Sequence, residues 1–340
     1  MTDLELQDIE IIASLGYEWN RLDGKTLVIS GGTGFIGQFL INVIKCRNEK
    51  FGNKISVVSL SRRGGKSEKN VTYLSADVTK PIKIDGKVDY VLHLASNTHP
   101  KQYSEDPVGT VTTNIFGTYN LLNLAVEKNV TRFLLASSVE IYGDGSDKPM
   151  AEDYCGYIDC NTTRAGYNEA KRLSESLCQS FTAQYGVDCV IARLARCFGA
   201  DRKADSKAVA QFLDRALCGE DIVLKSKGDQ RFSYCYVADA VSGIIKVLLD
   251  GKSGDAYNVS DDDEGVTLGG YAEYIAGLAG KKVVFDLSGN NNKGVSKSVR
   301  ALIDTSKLVA IGWKPFYGVK SALKRTYDIL KEVRAGEING

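Results

Sequence analysis

Short apolar runs rich in β-branched residues recur along the first 200 residues and alternate with longer amphipathic stretches. Such strands, separated by helices, are typical of a parallel sheet covered on both faces. Helices such as 34–46 and 116–128 are predicted between most strands, and only the link between the second and third strands is too short for one. The predicted strands are 26–30, 55–60, 71–76, 90–95, 132–137 and 189–194.

The regular alternation of strands and helices ends after about residue 200, which predicts a smaller second domain. Short strands (222–226, 235–239, 256–260) mix there with helices (207–218, 238–249, 267–279, 318–334). We therefore predict an α/β fold: a Rossmann-type doubly wound parallel sheet with a smaller mixed α/β substrate domain. The predicted divisions are a helical extension at 1–24, a Rossmann domain at 25–200 to which about 233–260 returns, and a discontinuous substrate domain at 201–340.

Composition narrows the classes of function. The 340 residues carry a net charge of +1, so no global field favours nucleic acid or an acidic membrane. No apolar run reaches 18 residues, and the N-terminus lacks the basic start and apolar core of a signal peptide. Eight scattered cysteines without a CxxC predict reduced thiols in a cytoplasmic protein, and two histidines make a histidine-based metal site improbable.

A glycine-rich turn joins the first predicted strand to the first helix, in the sequence SGGTGFIG at 30–37. Gly32, Gly34 and Gly37 fit G-x-G-x-x-G, and Gly31, Gly34 and Gly37 fit the G-x-x-G-x-x-G variant. Glycines permit a tight turn and a close approach of the backbone to a pyrophosphate, and the helix N-terminus supplies N–H groups and partial positive charge. We predict a dinucleotide site whose residues include Gly31, Gly34, Phe35, Ile36 and Gly37.

The second strand ends without the acidic residue that would accept hydrogen bonds from the ribose of NAD. Ser61 and Arg62 stand there instead, and a serine with an arginine suits a 2′-phosphate. The sequence therefore favours NADP(H). Solvated arginines beside NAD are the alternative. Asp77, after the third strand, is a candidate adenine contact or a turn cap.

Tyr167 and Lys171 are four residues apart in a helical pattern and therefore share one face. A nearby ammonium favours the phenolate, which would let Tyr167 exchange a proton with a sugar hydroxyl. Ser138 follows a buried strand, at the sheet edge where ligands bind in open α/β folds. It can orient the same hydroxyl, and Glu140 adds a second acid or base, or a strand-end cap.

These residues resemble the extended short-chain dehydrogenase/reductases, the family of nucleotide-sugar epimerases, dehydratases and decarboxylases. The resemblance spans about residues 25–335 and includes GGTGFIG, HLAS, TTN with GT, SSVEIYGD, the Tyr/Lys pair and YVxD. It implies a nucleotide-sugar substrate, a homodimer and catalytic roles for Ser138, Glu140, Tyr167 and Lys171. Further cofactor contacts are implied at Val78, Leu94, Ala95, Ser96 and Asn114, and substrate contacts at Thr98, His99 and Tyr103.

Within the family, HLAS together with SSVEIYGD looks most like UDP-glucuronate decarboxylases, which oxidise sugar carbon 4, lose CO2 and return the hydride. Dehydratases carry Asp-Glu where this chain has Val139-Glu140, so dehydration is disfavoured. 4-Epimerisation stays open, since it needs only the Ser/Tyr/Lys set. Ser61-Arg62 favours a keto-sugar reductase using free NADPH as an alternative. An alternative that is not an enzyme is a non-catalytic NAD(P)-binding sensor or scaffold.

Three departures concern the cofactor and the nucleotide end of the substrate. The first is the missing acid at Ser61-Arg62. The second is Arg196, where the family often has an asparagine that touches the diphosphate. In the third, the family's arginine before Tyr-Val-x-Asp aligns with Phe232, and Arg231 stands one place earlier. A shift of one residue turns a strand side chain to the other face unless a bulge intervenes. Arg300 matches a second diphosphate-binding arginine. Arg196, Arg231 and Arg300 are therefore the candidate contacts of the substrate diphosphate, with Arg196 supplying the charge that Phe232 lacks; surface charges or intramolecular ion pairs are the alternative.

Overall fold

A computed structural model describes residues 1–97, 105–202, 207–261, 266–287 and 300–338. These residues form thirteen strands: β1 (Thr26–Ser30), β2 (Ser56–Ser61), β3 (Val71–Ser75), β4 (Tyr90–His93), β5 (Arg132–Ser138), β6 (Cys189–Leu194), β7 (Arg196–Phe198), β8 (Ile222–Leu224), β9 (Arg231–Phe232), β10 (Tyr234–Tyr236), β11 (Ala256–Val259), β12 (Val283–Phe285) and β13 (Arg300–Ala301).

The same parts of the chain form nine α-helices and two short 3-10 turns. The turns are Trp19–Leu22 and Val139–Tyr142. The helices are α1 (Asp3–Ser14), α2 (Phe35–Phe51), α3 (Pro107–Lys128), α4 (Ala165–Tyr185), α5 (Ala208–Leu217), α6 (Val237–Asp250), α7 (Leu268–Leu278), α8 (Ser306–Ala310) and α9 (Val319–Ile338).

Seven of the strands form one parallel sheet in the order β11-β6-β5-β4-β1-β2-β3. The chain builds outward from β1 to β3, then crosses back to β4 and builds the other way. The direction of winding therefore changes between β1 and β4, and ligands of doubly wound sheets bind outside the carboxyl ends of the strands at such a point. The predicted α/β fold with a Rossmann-type sheet is confirmed.

Both faces of this sheet are buried, which explains why its strands are continuously apolar. Leu27 and Ile29 of β1 join the larger hydrophobic core, which includes residues of α2 and α6. Val28, which points the other way, joins a second core with Leu121 of α3 and Phe181 of α4. Because successive side chains of a strand point to opposite faces, the three central positions of β1 must all be apolar for both layers to pack.

Some predicted bounds were wrong, and local capping explains the largest error. The helix predicted at 116–128 begins at Pro107, because Asp106 accepts a hydrogen bond from Gly109 N (2.9 Å) and proline fits a first helical turn. The strand predicted at 235–239 is shorter: β10 ends at Tyr236 and α6 begins at Val237. As predicted, residues 62–70, between β2 and β3, contain no helix.

Three further pairs of short parallel strands lie outside the main sheet: β7 with β10, β8 with β12, and β9 with β13. β9 and β10 are separated by Ser233 alone, so consecutive residues serve different ladders. Ser233 N donates to Ala301 O (3.1 Å), and Ser233 O accepts from Arg196 N (3.2 Å). This one residue therefore links the β9–β13 pair to the β7–β10 pair.

The N-terminal helix α1 packs against α2, α6 and α9. Its Asp8 is fully buried and accepts hydrogen bonds from Tyr236 OH (2.6 Å), Tyr317 OH (2.7 Å) and Arg325 Nε (2.6 Å). A buried carboxylate needs such partners to offset its desolvation. Asp8 therefore ties the first helix to α9 and to the residues that precede α6 and α9.

Candidate active site

The turn between β1 and α2 lies where the direction of winding changes, and some of its positions have room only for glycine. Gly31 has φ +75°, and a Cβ there would lie 2.8 Å from Ala95 N. A Cβ on Gly37 would lie 2.7 Å from Gly32 Cα. The backbone of this turn therefore packs directly on the residues after β4, without side chains between them.

Helix α2 begins at Phe35, followed by Ile36, with Gly34 as its N-cap and no side-chain hydrogen bond to the first N–H groups. A Cβ on Gly34 would meet only Gly31 O, at 3.1 Å. An uncapped N-terminus of a long helix beside a glycine turn supplies N–H donors and a favourable dipole for a phosphate. The residues present therefore fit the pyrophosphate of a dinucleotide.

The end of β2 carries Ser61 and an exposed Arg62. Ser61 Oγ donates to Gly64 O (3.3 Å), which closes the loop after the strand. Asp77 is exposed and accepts from Thr79 N (2.9 Å) and Thr79 Oγ1 (2.8 Å), so it caps a turn. These bonds, and to a smaller extent Arg62, lower the pKa of Asp77. Arg62 thus lies near a carboxylate at the edge of the candidate cofactor site.

The segment after β4 is placed by hydrogen bonds to its neighbours. Leu94 and Ala95 follow β4 beside the glycine turn, and Ala95 N donates to Ser30 Oγ (3.3 Å). Ser96 Oγ donates to Asn114 Oδ1 (2.9 Å), and Asn114 Nδ2 donates to Thr110 O within α3 (2.8 Å). Val78 is buried beneath α3 and would be 3.1 Å from a Cβ on Gly117.

Tyr167 lies in the first turn of α4 and is buried. The side chains of Ser138 and Ser96 lie close enough to its hydroxyl to lower its pKa. Burial raises the pKa of Tyr167 to about 12, against the effect of these two serines. Ser138 also accepts from Glu140 N (3.2 Å) as the cap of the Val139–Tyr142 turn. The structure therefore brings the predicted tyrosine and serine together.

Lys171 lies one turn further along α4, also buried, with its Nζ 6.0 Å from the centre of the Tyr167 ring. Nζ donates to Ala136 O at the end of β5 (2.8 Å). Burial lowers the pKa of Lys171 to about 8, although the charge of Glu175 opposes this. Lys171 is thus a desolvated amine held close to the phenol.

Glu140 is the one acidic side chain of the predicted catalytic set, and two arginines face it. Arg196 Nη2 lies 3.1 Å from Oε1, and Arg164 Nη2 lies 3.5 Å from Oε2. The negative charge of Glu140 also raises the pKa of Tyr167. The carboxylate is therefore close enough to influence the phenol while paired with cations.

Arg231 and Arg300 are register partners in the β9–β13 pair, so their side chains start from adjacent positions on one face. Arg231 is exposed, and the next residue, Phe232, is buried on the opposite face. The predicted substrate contacts Thr98, His99 and Tyr103 lie outside the described residues.

Three neighbours of the site were not predicted as functional. Arg164 escaped notice because it precedes the helix and forms its pair across the chain with Glu140. The sequence indicated Phe232 only as the position where the family has an arginine. In the structure, the Arg196 guanidinium lies 3.9 Å from the centre of the Phe232 ring. His93, within the HLAS motif, is buried with Nδ1 2.7 Å from Ser30 Oγ. Burial, and then the charge of Lys171, lower the pKa of His93 to about 3.

Comparison with known proteins bears directly on this site. The sequence model of the NAD dependent epimerase/dehydratase family matches residues 27–260, which include the glycine turn and the Ser/Tyr/Lys set. The chain belongs to this family. The predicted resemblance is confirmed, and the protein is an NAD(P)-dependent enzyme of the epimerase/dehydratase type.

Individual relatives in the family agree. UDP-glucuronic acid decarboxylase 1 of Danio rerio is 31% identical over 312 residues, covering 89% of this chain and 72% of the relative. UDP-glucuronic acid decarboxylase 3 of Arabidopsis thaliana is 32% identical over 305 residues, covering 87% and 86%. The solved dTDP-glucose 4,6-dehydratase DesIV of Streptomyces venezuelae, with NAD bound, superposes with TM-score 0.77 at 21% identity, covering 92% of this chain and 98% of that one. This last match supports the fold alone.

No helix in the described part of the chain combines the length and the hydropathy that a membrane span requires.

Proposed function

We propose that this enzyme oxidises carbon 4 of a nucleotide sugar and later reduces it again within one turnover, and that UDP-glucuronate decarboxylation is its reaction. One observation carries the proposal: the buried phenol of Tyr167 lies beside Ser138 and the buried amine of Lys171, with a paired carboxylate close by. The decarboxylase relatives, about 31% identical over most of this chain, support the choice of reaction.

The chain's own residues divide the chemistry as follows. Tyr167 takes the proton of the carbon 4 hydroxyl, which Ser138 orients by a hydrogen bond. Lys171 supplies the positive charge that makes the phenolate accessible. A nicotinamide bound at the glycine turn would supply the acceptor, and later the donor, of the carbon 4 hydride. Gly31, the α2 N-terminus and the Leu94–Ser96 backbone hold the dinucleotide in this proposal.

Glu140 would serve the step after oxidation. A keto group at carbon 4 lies β to the carboxylate of a uronic acid, so loss of CO2 leaves an enolate that must be protonated. Glu140 lies close enough to Tyr167 to change its pKa and can act as the auxiliary acid or base there. 4-Epimerisation needs no such group, so the presence of Glu140 favours decarboxylation over epimerisation.

The substrate diphosphate would be held by Arg231 and Arg300. Their side chains start from adjacent positions of one strand pair, so both can reach the same anion. Both guanidinium groups can bind phosphate oxygens in a bidentate manner. This assignment lets the strand break at Ser233 compensate for the one-residue shift of the arginine.

For the cofactor we propose NADP(H), because Ser61 and exposed Arg62 end β2 where NAD enzymes place an acid. An arginine at this position suits the 2′-phosphate of NADP. The same observation favours a second candidate, a keto-sugar reductase that consumes free NADPH. The two differ in a simple property: a reductase must release its cofactor after each turnover, whereas a decarboxylase need not.

We further propose a cytoplasmic homodimer formed through α3 and α4. These helices pack side by side and expose Phe116, Tyr119, Leu173 and Tyr185, each between 44 and 53% accessible. Tyr119 contacts Phe181 across the two helices (ring centres 6.0 Å apart), which makes the surface continuous. A second copy of the same apolar face would cover it.

The test is a panel of UDP-, dTDP-, GDP- and CDP-sugars, with products identified by mass spectrometry. A product lighter by CO2 from a uronic acid substrate supports decarboxylation; an epimer or a reduced sugar contradicts it. Tyr167→Phe should lower turnover by about 10²–10⁴-fold, since it removes the proton acceptor. Tyr185→Phe, on the exposed end of the same helix, is the matched control. Unchanged turnover in Tyr167→Phe would reject the catalytic assignment.

A further inference from the structure

Arg196 lies in β7 and holds one oxygen of Glu140. Its Nη2 is 3.1 Å from Oε1, while Arg164 approaches the other oxygen, Oε2. Each carboxylate oxygen therefore has its own cationic donor, and two donors from different elements fix the plane of the carboxylate. Glu140 itself sits on the single Val139–Tyr142 turn, with about a fifth of its side chain exposed.

Arg196 is fixed from its other side by Phe232. The guanidinium carbon lies 3.9 Å from the centre of the phenyl ring, a close cation–π stack. Its Nη1 atom is buried and has no hydrogen-bond partner among the described residues. The stack on Phe232 and the pair with Glu140 therefore hold the Arg196 guanidinium from two sides.

The β9 strand separates Arg196 from the other two arginines. The side chain of Phe232, on which Arg196 stacks, points to the face opposite Arg231, because the side chains of neighbouring residues in a strand point to alternate faces. Arg231 starts beside Arg300, its register partner in β13. The three arginines therefore form two groups, one at Glu140 and one at the proposed diphosphate position.

We propose that Arg196 is a positioning residue for Glu140 and not a ligand of the substrate diphosphate, and that Phe232 positions Arg196. The proposal rests on the proposed function for the role of Glu140. It joins two departures of this sequence: the arginine in β7 and the phenylalanine in β9 occur together because one stacks on the other. The nucleotide end is left to Arg231 and Arg300.

The test compares Arg196→Gln, Glu140→Gln and their double variant, with Arg231→Gln as the matched control on the other face. We expect Arg196→Gln to lower kcat on the order of 10- to 100-fold with little change in KM, since it misplaces a reacting group. Arg231→Gln should raise KM instead. The double variant should be no slower than Glu140→Gln alone, and Arg196→Lys should recover part of the loss.

Two kinetic results would overturn the proposal. One is a rise in KM for Arg196→Gln that matches that of Arg231→Gln, with kcat unchanged. The other is a double variant whose loss is the product of the two single losses, because residues that act through one another are not additive. Phe232→Leu should show a weaker form of the Arg196→Gln effect, and a purely KM effect there also argues against it.

Thermal unfolding and nucleotide binding decide the proposal without any turnover. The Tm shifts of Glu140→Gln and Arg196→Gln should be clearly non-additive, and calorimetry with UDP should show weaker binding for Arg231→Gln but not for Arg196→Gln. Additive Tm shifts, or equal losses of UDP affinity, would overturn the positioning role. If wild-type protein converts none of the sugars, the proposed function fails, and the Tm cycle still decides whether Arg196 and Glu140 act as a pair.

Discussion

Replacement of Asp8 by alanine is the sharpest test of how the N-terminal helix is held. The side chain of Asp8 is 1% exposed and accepts from Arg325 Nε, Tyr236 OH and Tyr317 OH, all within 2.7 Å. Asp8→Ala removes the acceptor of two phenols and of Arg325 Nε from a largely buried site, while Arg325 Nη2 keeps Leu4 O and Gln7 Oε1. The variant therefore loses an ion pair and strands its partners at once.

The magnitude follows from the burial of the pair. Breaking a buried ion pair from one side costs about 3–5 kcal/mol, because the remaining charge is left uncompensated. An unfolding entropy of about 2.1 cal/mol/K per residue converts 1 kcal/mol into about 1.4 °C for a chain of this length. We expect Asp8→Ala to lower Tm by about 4–7 °C. Asp8→Asn, which keeps one acceptor oxygen, should lie between.

Differential scanning calorimetry on the full chain measures the shift. Asp3→Ala is the matched control, since Asp3 is exposed in the first turn of the same helix and interacts mainly with the helix dipole. That change costs about 0.3–1 kcal/mol and should move Tm by about 1 °C or less. If the Tm of Asp8→Ala equals that of Asp3→Ala, the three hydrogen bonds to Asp8 do not anchor the helix, and the argument from burial is refuted.

Four further predictions concern the active site and the surface. Gly31→Ala should abolish NAD(P) binding measured by calorimetry, since its Cβ would lie 2.8 Å from Ala95 N; Gly52→Ala, at φ +76° with open space around it, should retain binding. Turnover should fall as pH rises through about 8, because buried Lys171 then loses the positive charge that favours the Tyr167 phenolate; a pH profile of kcat/KM without this limb would contradict the role of Lys171. Arg62→Asp should weaken NADPH relative to NADH by about 10- to 100-fold in Kd, as expected for a lost charge-assisted bond, and Arg63→Asp should change the ratio far less. Phe116→Glu should give a monomer in analytical ultracentrifugation, whereas Phe285→Glu, similarly exposed but far from α3, should not; an unchanged mass for Phe116→Glu would reject the α3/α4 interface.

The central sheet was predictable because its signal is local. Each strand, such as β1 or β6, is a continuous apolar run, and a strand buried on both faces must be one. The Tyr167/Ser138 contact was also predictable, since carboxyl ends of neighbouring strands and the following helix meet at one edge. The start of α3 at Pro107 was not, because polar and β-branched residues there mask the helical period, and Asp106 reads as a cap only once the helix is known.

The pairings made across long stretches of sequence were out of reach. Nothing near Arg196 in the sequence indicates that it stacks on Phe232 and bonds Glu140, because these three residues lie on separate elements. The break at Ser233 is likewise invisible locally, since it follows from two strand pairs formed with distant partners. Ion pairs between arginine and acidic side chains depend on the distance between those residues in the folded protein, and their spacing along the sequence does not give that distance.

The anchoring of α1 also sets an order of events during synthesis. Asp8 lies 228 residues before Tyr236 and 317 before Arg325, so its partners leave the ribosome long after it. At about 5–20 residues per second, that delay is roughly 15–60 s. Throughout that time the nascent helix can pack only against α2, and Asp8 stays without its three donors until Tyr236, Tyr317 and Arg325 have been made.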